Sequence, residues 1–107
     1  MIRHTVFFSF KPDVPAETRN ALLREYTTFP AQFPAMRNFT LGANISQRDT
    51  TYQYAFSVEF DTEDELKAYL NSREHEEHVV ERFRPVISGR AIVSYEVASG
   101  KVTTLSL

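Results

Sequence analysis

The chain has 107 residues, 42% of them hydrophobic and 24% charged, with no cysteine and no tryptophan. At this mass a folded monomer exposes roughly 6,100 Å² and its unfolded form about 18,000 Å², enough to bury one core and not two. With 12 basic and 14 acidic residues and no basic block, it lacks the electrostatic footprint of a nucleic-acid surface. Zero cysteines excludes disulfide staples, thiolate zinc sites and a cysteine nucleophile, and fits a reducing compartment. No stretch approaches the roughly 18 consecutive apolar residues of a membrane span. Met1-Ile2-Arg3-His4 also lacks the pattern of a secretion signal. The expectation is a cytoplasmic domain with neither nucleic acid nor membrane as a partner.

Residues 2–10 alternate with period two, which predicts a strand with Ile2, His4, Val6, Phe8 and Phe10 on one face. Lys11-Pro12-Asp13-Val14-Pro15 stops it, and Pro15 suits the first position of a helix. Leu22, Leu23 and Tyr26 fall at helical intervals, giving about three turns that end at Pro30 and Pro34. A second strand is expected from Met36 to Ile45, with Phe39, Leu41, Ala43 and Ile45 sharing a face. After the polar turn 46–50, Tyr52 to Phe60 reads as a third strand. Thr62-Glu63-Asp64-Glu65 has the spacing of a capping box. The helix it opens presents Leu66, Tyr69 and Leu70. Ser72 can cap a continuation carrying Val79, Val80 and Phe83 to Pro85, and Ala91 to Val97 reads as a last strand.

The order β-α-β-β-α-β predicts an α+β ferredoxin-like sandwich, with residues 1–98 as one domain and 99–107 as a tail. Helices on one side of such a sheet leave the other side bare. Phe7, with Phe39, Leu41 and Ile92, would make that bare side apolar enough to pair with a second copy.

In its motifs the chain resembles the Dabb family of stress-responsive dimeric α/β barrels. The likeness rests on His4-Thr-Val-Phe-Phe-Ser-Phe-Lys-Pro-Asp-Val14, on Phe33-Pro-Ala-Met36 and on Phe60 followed by Leu66 and Tyr69. It continues through Glu74-His75, Val79-Val80-Glu81 and Arg84-Pro85. The resemblance implies a homodimer whose sheets face each other in a dimeric α/β barrel. One branch of the family comprises plant polyketide cyclases, which perform an aldol condensation without cofactor or metal. By similarity to it, His75 stands at the catalytic histidine and Tyr69 at its tyrosine partner. His4, Leu22, Leu23, Tyr26 and Tyr54 stand at positions lining the cavity between sheet and helices. The chain departs from that pattern at Ser72-Arg73, where the branch often has His or Asp and then Pro. It departs again at Tyr54, which replaces a histidine.

The candidate chemistry is therefore general acid–base work. On one continuous helix Tyr69 and His75 would sit about 240° apart, so a break at Asn71-Ser72 is needed to join them. Joined, a histidine hydrogen-bonded by a phenol beside an apolar cavity can serve as a base near neutral pH. His75 would take a proton from an acidic C–H, and Tyr69 would fix its orientation. His4 or Tyr54 would hold the carbonyl, with Val6, Phe8 and Phe56 around the ligand. Each residue also has a packing role open to it: a capping histidine, a core tyrosine, a mutually bonded His4–Tyr54 pair. Glu74, His75 and His78 share a helical turn, but they do not form a His-Glu-x-x-His motif and sit among exposed charges. No metal and no cofactor is expected. The reading is a homodimer binding a small apolar or phenolic ligand, with cofactor-independent chemistry on polyketide-like or phenolic carbonyl compounds. The alternative is a non-catalytic stress-responsive binding or assembly module.

Overall fold

In β1, Ile2–Phe10, the side chains of Ile2, His4, Val6, Phe8 and Phe10 are buried and the intervening ones are not. The computed structural model describes every residue except Ser99, Lys101 and Leu107, so the expected domain–tail boundary at Ser99 lies outside the described residues. Pro15 precedes α1, Ala16–Gln32, as its N-cap. This helix runs 17 residues, past the expected stop at Pro30. A proline that late removes one bond, to the Tyr26 carbonyl. Burial of Leu22, Tyr26 and Phe29 carries the helix through it, and the Phe33 amide closes on the Phe29 carbonyl at 2.7 Å.

Arg37–Ala43 forms β2 and Tyr54–Phe60 forms β3, both shorter than the sequence pattern predicts. A register shift between Arg37 and Thr40 bends β2, and Asn38 takes a φ of 51° there. Asparagine tolerates that left-handed conformation better than most residues. Its amide also donates to the Glu59 carboxylate at 2.5 Å. Ile45 lies beyond the strand and is exposed.

Glu63–Leu70 is α2, opened by the Thr62 hydroxyl, which accepts from the Glu65 amide at 3.1 Å. Arg73–Glu77 is α3, and His78–Phe83 continues it as a π-helical turn before β4, Ile87–Glu96. The apolar residues expected on this continuation, Val79, Val80 and Phe83, do not all turn inward. Val80 is exposed and His78 is buried, because widening to i→i+5 bonding aligns His78 with Phe83.

The four strands form one antiparallel sheet in the order β2-β3-β1-β4, with the helices on one face. This is the ferredoxin-like α+β fold. Phe8 anchors the core, meeting the rings of Phe10, Tyr26, Tyr54 and Phe83 at centroid separations of 5.7–5.8 Å. Aromatic pairs at such distances contribute about 0.5–1.5 kcal/mol each beyond area burial.

Register corrects the composition of the bare face. Residues directly opposite in antiparallel strands share a face. Ile92 lies opposite Val6, and Leu41 opposite Phe56, so both belong to the helix side. Phe39 stacks on Phe56 there at 5.7 Å. The bare face instead carries Phe7, Val93 and Tyr95, exposed at 36%, 50% and 49%. Total exposure is 7364 Å², well above the roughly 6,100 Å² of a compact monomer of this mass.

Candidate active site

The helical layer breaks after Leu70, and the break shapes the site. Ser72 ends α2 by donating its hydroxyl to the Tyr69 carbonyl at 2.7 Å, and starts α3 by accepting from the His75 amide at 3.2 Å. The chain thereby turns His75 back onto Tyr69, with ring centroids 4.6 Å apart in an edge contact. Beside them is a cavity of about 220 Å³ between the sheet and the α3–π segment. Its apolar wall comprises Val6, Phe56, Leu70, Val79, Phe83 and Ile92, and its polar groups are His4, Tyr26, Tyr69, His75 and His78. Glu76, Arg84 and Arg90 supply the charges around it.

The Nδ1 of His75 lies 3.1 Å from the Leu70 carbonyl oxygen. A carbonyl only accepts, so Nδ1 carries the hydrogen and Nε2 keeps a lone pair. Burial holds this imidazole below its ordinary pKa of 6.5, opposed by the Leu70 contact. Neutral His75 is therefore the resting form around neutral pH. Among the described residues no hydrogen bond joins it to the Tyr69 phenol. The expected orienting bond is replaced by ring packing and the Leu70 carbonyl. Burial pushes the Tyr69 phenol above its ordinary pKa of 10.

His4 is fully enclosed, with Nδ1 2.8 Å from the Ser94 hydroxyl and its ring edge-on to Tyr69 at 6.2 Å. Burial, helped by the charge of His75, lowers its pKa to about 4. A histidine with a depressed folded pKa stabilises fully above its unfolded value and loses that contribution as pH falls toward the folded one. Thermal midpoints should therefore drop between about pH 6.5 and pH 4, and His4→Asn should flatten the drop. An unchanged slope in the variant would remove His4 as the cause.

His78 has a role its spacing did not reveal. Only 3% exposed, it sets Nδ1 2.5 Å from the Glu25 carboxylate and Nε2 3.0 Å from the Tyr26 hydroxyl. Arg82 Nε holds the same carboxylate at 2.8 Å. The sequence pattern offers His78 only as a metal ligand and puts Glu25 and Arg82 on solvated helix faces, with no role for Ser94. Nothing in the linear pattern marks them, since α1 and the π turn meet only in the fold. Among the described residues no group of three His, Cys, Asp or Glu side chains is placed to hold a metal ion.

Of the expected site residues, the structure brings His4, Val6, Tyr26, Phe56, Tyr69 and His75 to this cavity. Phe8, Leu22, Leu23 and Tyr54 are not on its wall. Phe8 and Leu22 are core, and Leu23 packs partly buried against it. Tyr54 lies opposite Phe8, while His4 lies opposite Val58, so the anticipated His4–Tyr54 pair does not form. Tyr54 instead stacks on Phe8 and borders a groove at the β2 edge.

The family model for the stress responsive A/B barrel domain, Dabb, matches residues 2–97. Among curated proteins no sequence matches. Similar solved structures include a Dabb family protein with a ferredoxin-like fold from Mesorhizobium loti (TM-score 0.81, 22% identity, 92% of this chain and 97% of that one). A dimeric protein of ferredoxin-like fold from Bacteroides fragilis aligns with TM-score 0.70 and 27% identity over 90% of this chain and 95% of that one. The hydroxynitrile lyase of Passiflora edulis aligns with TM-score 0.81 and 17% identity over 94% and 96%. By its family match over nearly its whole length, this chain is a member of the Dabb family, the stress-responsive A/B barrel domains.

Proposed function

We infer that the chain works as a homodimeric cytoplasmic protein whose cavity binds small apolar or phenolic carbonyl compounds. There it performs cofactor-independent acid–base chemistry of the kind a polyketide cyclase or aldol-type lyase requires. One observation carries this reading: His75 lies on the wall of a largely apolar cavity with Nδ1 committed to the Leu70 carbonyl. Its neutral Nε2, without a hydrogen-bond partner among the described residues, is the basic atom. A base near neutral pH beside an apolar wall is suited to remove a proton from carbon between two carbonyls. His4, kept neutral, lies on the same wall and is the group that would hold an enolate oxygen. That a protein of similar fold is a hydroxynitrile lyase is consistent with this reading.

A direct test is exchange of the acidic C–H of benzoylacetone in deuterated water, followed by proton NMR. The protein should accelerate exchange above the buffer rate, without added metal or cofactor. The second reading, a binding or assembly module, is favoured by the two bonds His75 makes in holding the helix break. Saturable binding of benzoylacetone without accelerated exchange would decide for it.

Dimerisation is supported by the uncovered apolar stripe of Phe7, Val93 and Tyr95 and by the dimeric relative of the same fold. Phe7→Glu or Val93→Glu should give monomers in sedimentation at micromolar concentration, because each dimer would bury two unpaired carboxylates. Ile92→Glu should not, since that side chain faces the cavity side. Dimers persisting in both of the first two variants would exclude this face.

A further inference from the structure

Besides His4 and His75, the cavity wall carries a third histidine, His78, with hydrogen-bond partners on both ring nitrogens. Glu25 is ionised: the Arg82 and His78 contacts hold its carboxyl below the usual range despite partial burial. Burial lowers the pKa of His78 against the raising contact of Glu25, so the ring is neutral; a carboxylate only accepts, so Nδ1 carries the hydrogen and Nε2 has the lone pair. The Tyr26 hydroxyl, 3.0 Å from that lone pair, must then donate to it. Its single proton is committed, and the phenol oxygen has only lone pairs left for anything in the cavity. Tyr26 is thus an acceptor toward a ligand, the reverse of the role a buried phenol usually takes.

We propose that Arg82, Glu25, His78 and Tyr26 form a proton relay that ionises the hydroxyl of a phenolic or enolic ligand bound in the cavity. In the transfer, the ligand O–H bond breaks and its proton passes to the Tyr26 oxygen. The Tyr26 O–H bond breaks in turn and its proton passes to His78 Nε2. The products are a ligand oxyanion and an imidazolium paired with Glu25, so charge and protons balance without an outside reagent. Tyr26 touches the ligand, while Glu25 and Arg82 act through His78 as positioning residues. The other titratable and charged groups around the cavity are His4, Tyr69, His75, Glu76, Arg84 and Arg90. An oxyanion generated here makes the neighbouring carbon nucleophilic and leaves His75 free for the carbon-bound proton. The purely structural account, a clamp between α1 and the π turn, requires no proton to move when a ligand binds.

The inference rests on the ligand-binding reading of the cavity, and 4-nitrophenol separates the two, because its phenol and phenolate absorb at different wavelengths. At a pH where the free probe is almost wholly protonated, probe bound to the wild-type protein should show the phenolate band. Tyr26→Phe and Glu25→Gln should still bind 4-nitrophenol but lose that band, whereas His75→Gln should keep it. Either variant alone suffices if the other fails to fold. Bound probe that stays protonated in the wild type overturns the relay and leaves the binding reading intact. A band that survives both relay substitutions, or vanishes only in His75→Gln, also overturns it. Failure of the wild type to bind the probe at all would remove the binding reading, and the relay with it.

Discussion

Replacing His75 by Gln should lower protein-catalysed exchange of benzoylacetone by roughly 10²–10⁴-fold, the usual contribution of a positioned general base. The fold should survive, because the bond that sets the helix start comes from the backbone amide of residue 75 to Ser72, not from the ring. The parent's rate should rise with pH and then level off, since only neutral imidazole accepts a proton. Burial places that rise below 6.5, the ordinary histidine value. His75→Gln should lose the rising limb. Tyr69→Phe tests how the imidazole is held: the ring contact at 4.6 Å needs no hydroxyl, so the rate should stay close to the parent's. Tyr69→Ala removes the contact and should lower the rate. If His75→Gln melts the protein while its folded fraction keeps full exchange activity, the residue is structural and the binding-module reading prevails.

The strands were legible because their side chains obey period two, and β1 has the predicted bounds. The turn at Asn71-Ser72 was legible as well, since Ser72 has both the residue type and the spacing of a helix cap. What linear periodicity could not reveal was face and partner. Ile92 and Phe39 alternate correctly within their strands, but which side they take depends on pairing with β1 and β3. A shift of one residue moves every side chain to the opposite face. The π turn hid His78 in the same way: a 3.6-residue period places Val80 inward, whereas i→i+5 bonding places His78 there. The Glu25 and Tyr26 contacts to it span more than fifty residues of sequence, which no local pattern encodes. Half of the site, His75 with Tyr69, is local to one helix break. The other half exists only once α1 lies across the π turn.

Phe8 shows how the same distinction separates cavity from core, and it should give the largest loss of stability. By strand parity it shares a face with His4 and Val6, and was expected around the ligand. The structure places it behind that wall, with no exposed surface and four aromatic neighbours. Phe8→Ala removes a ring the surrounding rings cannot readily collapse to replace, and should cost about 3–5 kcal/mol. For a domain of this size that lowers the thermal midpoint by about 12 °C or more. Ile92→Ala makes the contrast. Its side chain borders the cavity and is 47% exposed, so truncation leaves no sealed void. Surface-like truncations of this kind usually stay within about 0.5 kcal/mol, while the widened cavity should alter the affinity for benzoylacetone. Stability and affinity should thus respond to different residues of one sheet face. If Phe8→Ala instead leaves the thermal midpoint unchanged and weakens ligand binding, the space around Phe8 belongs to the binding site and the core lies elsewhere.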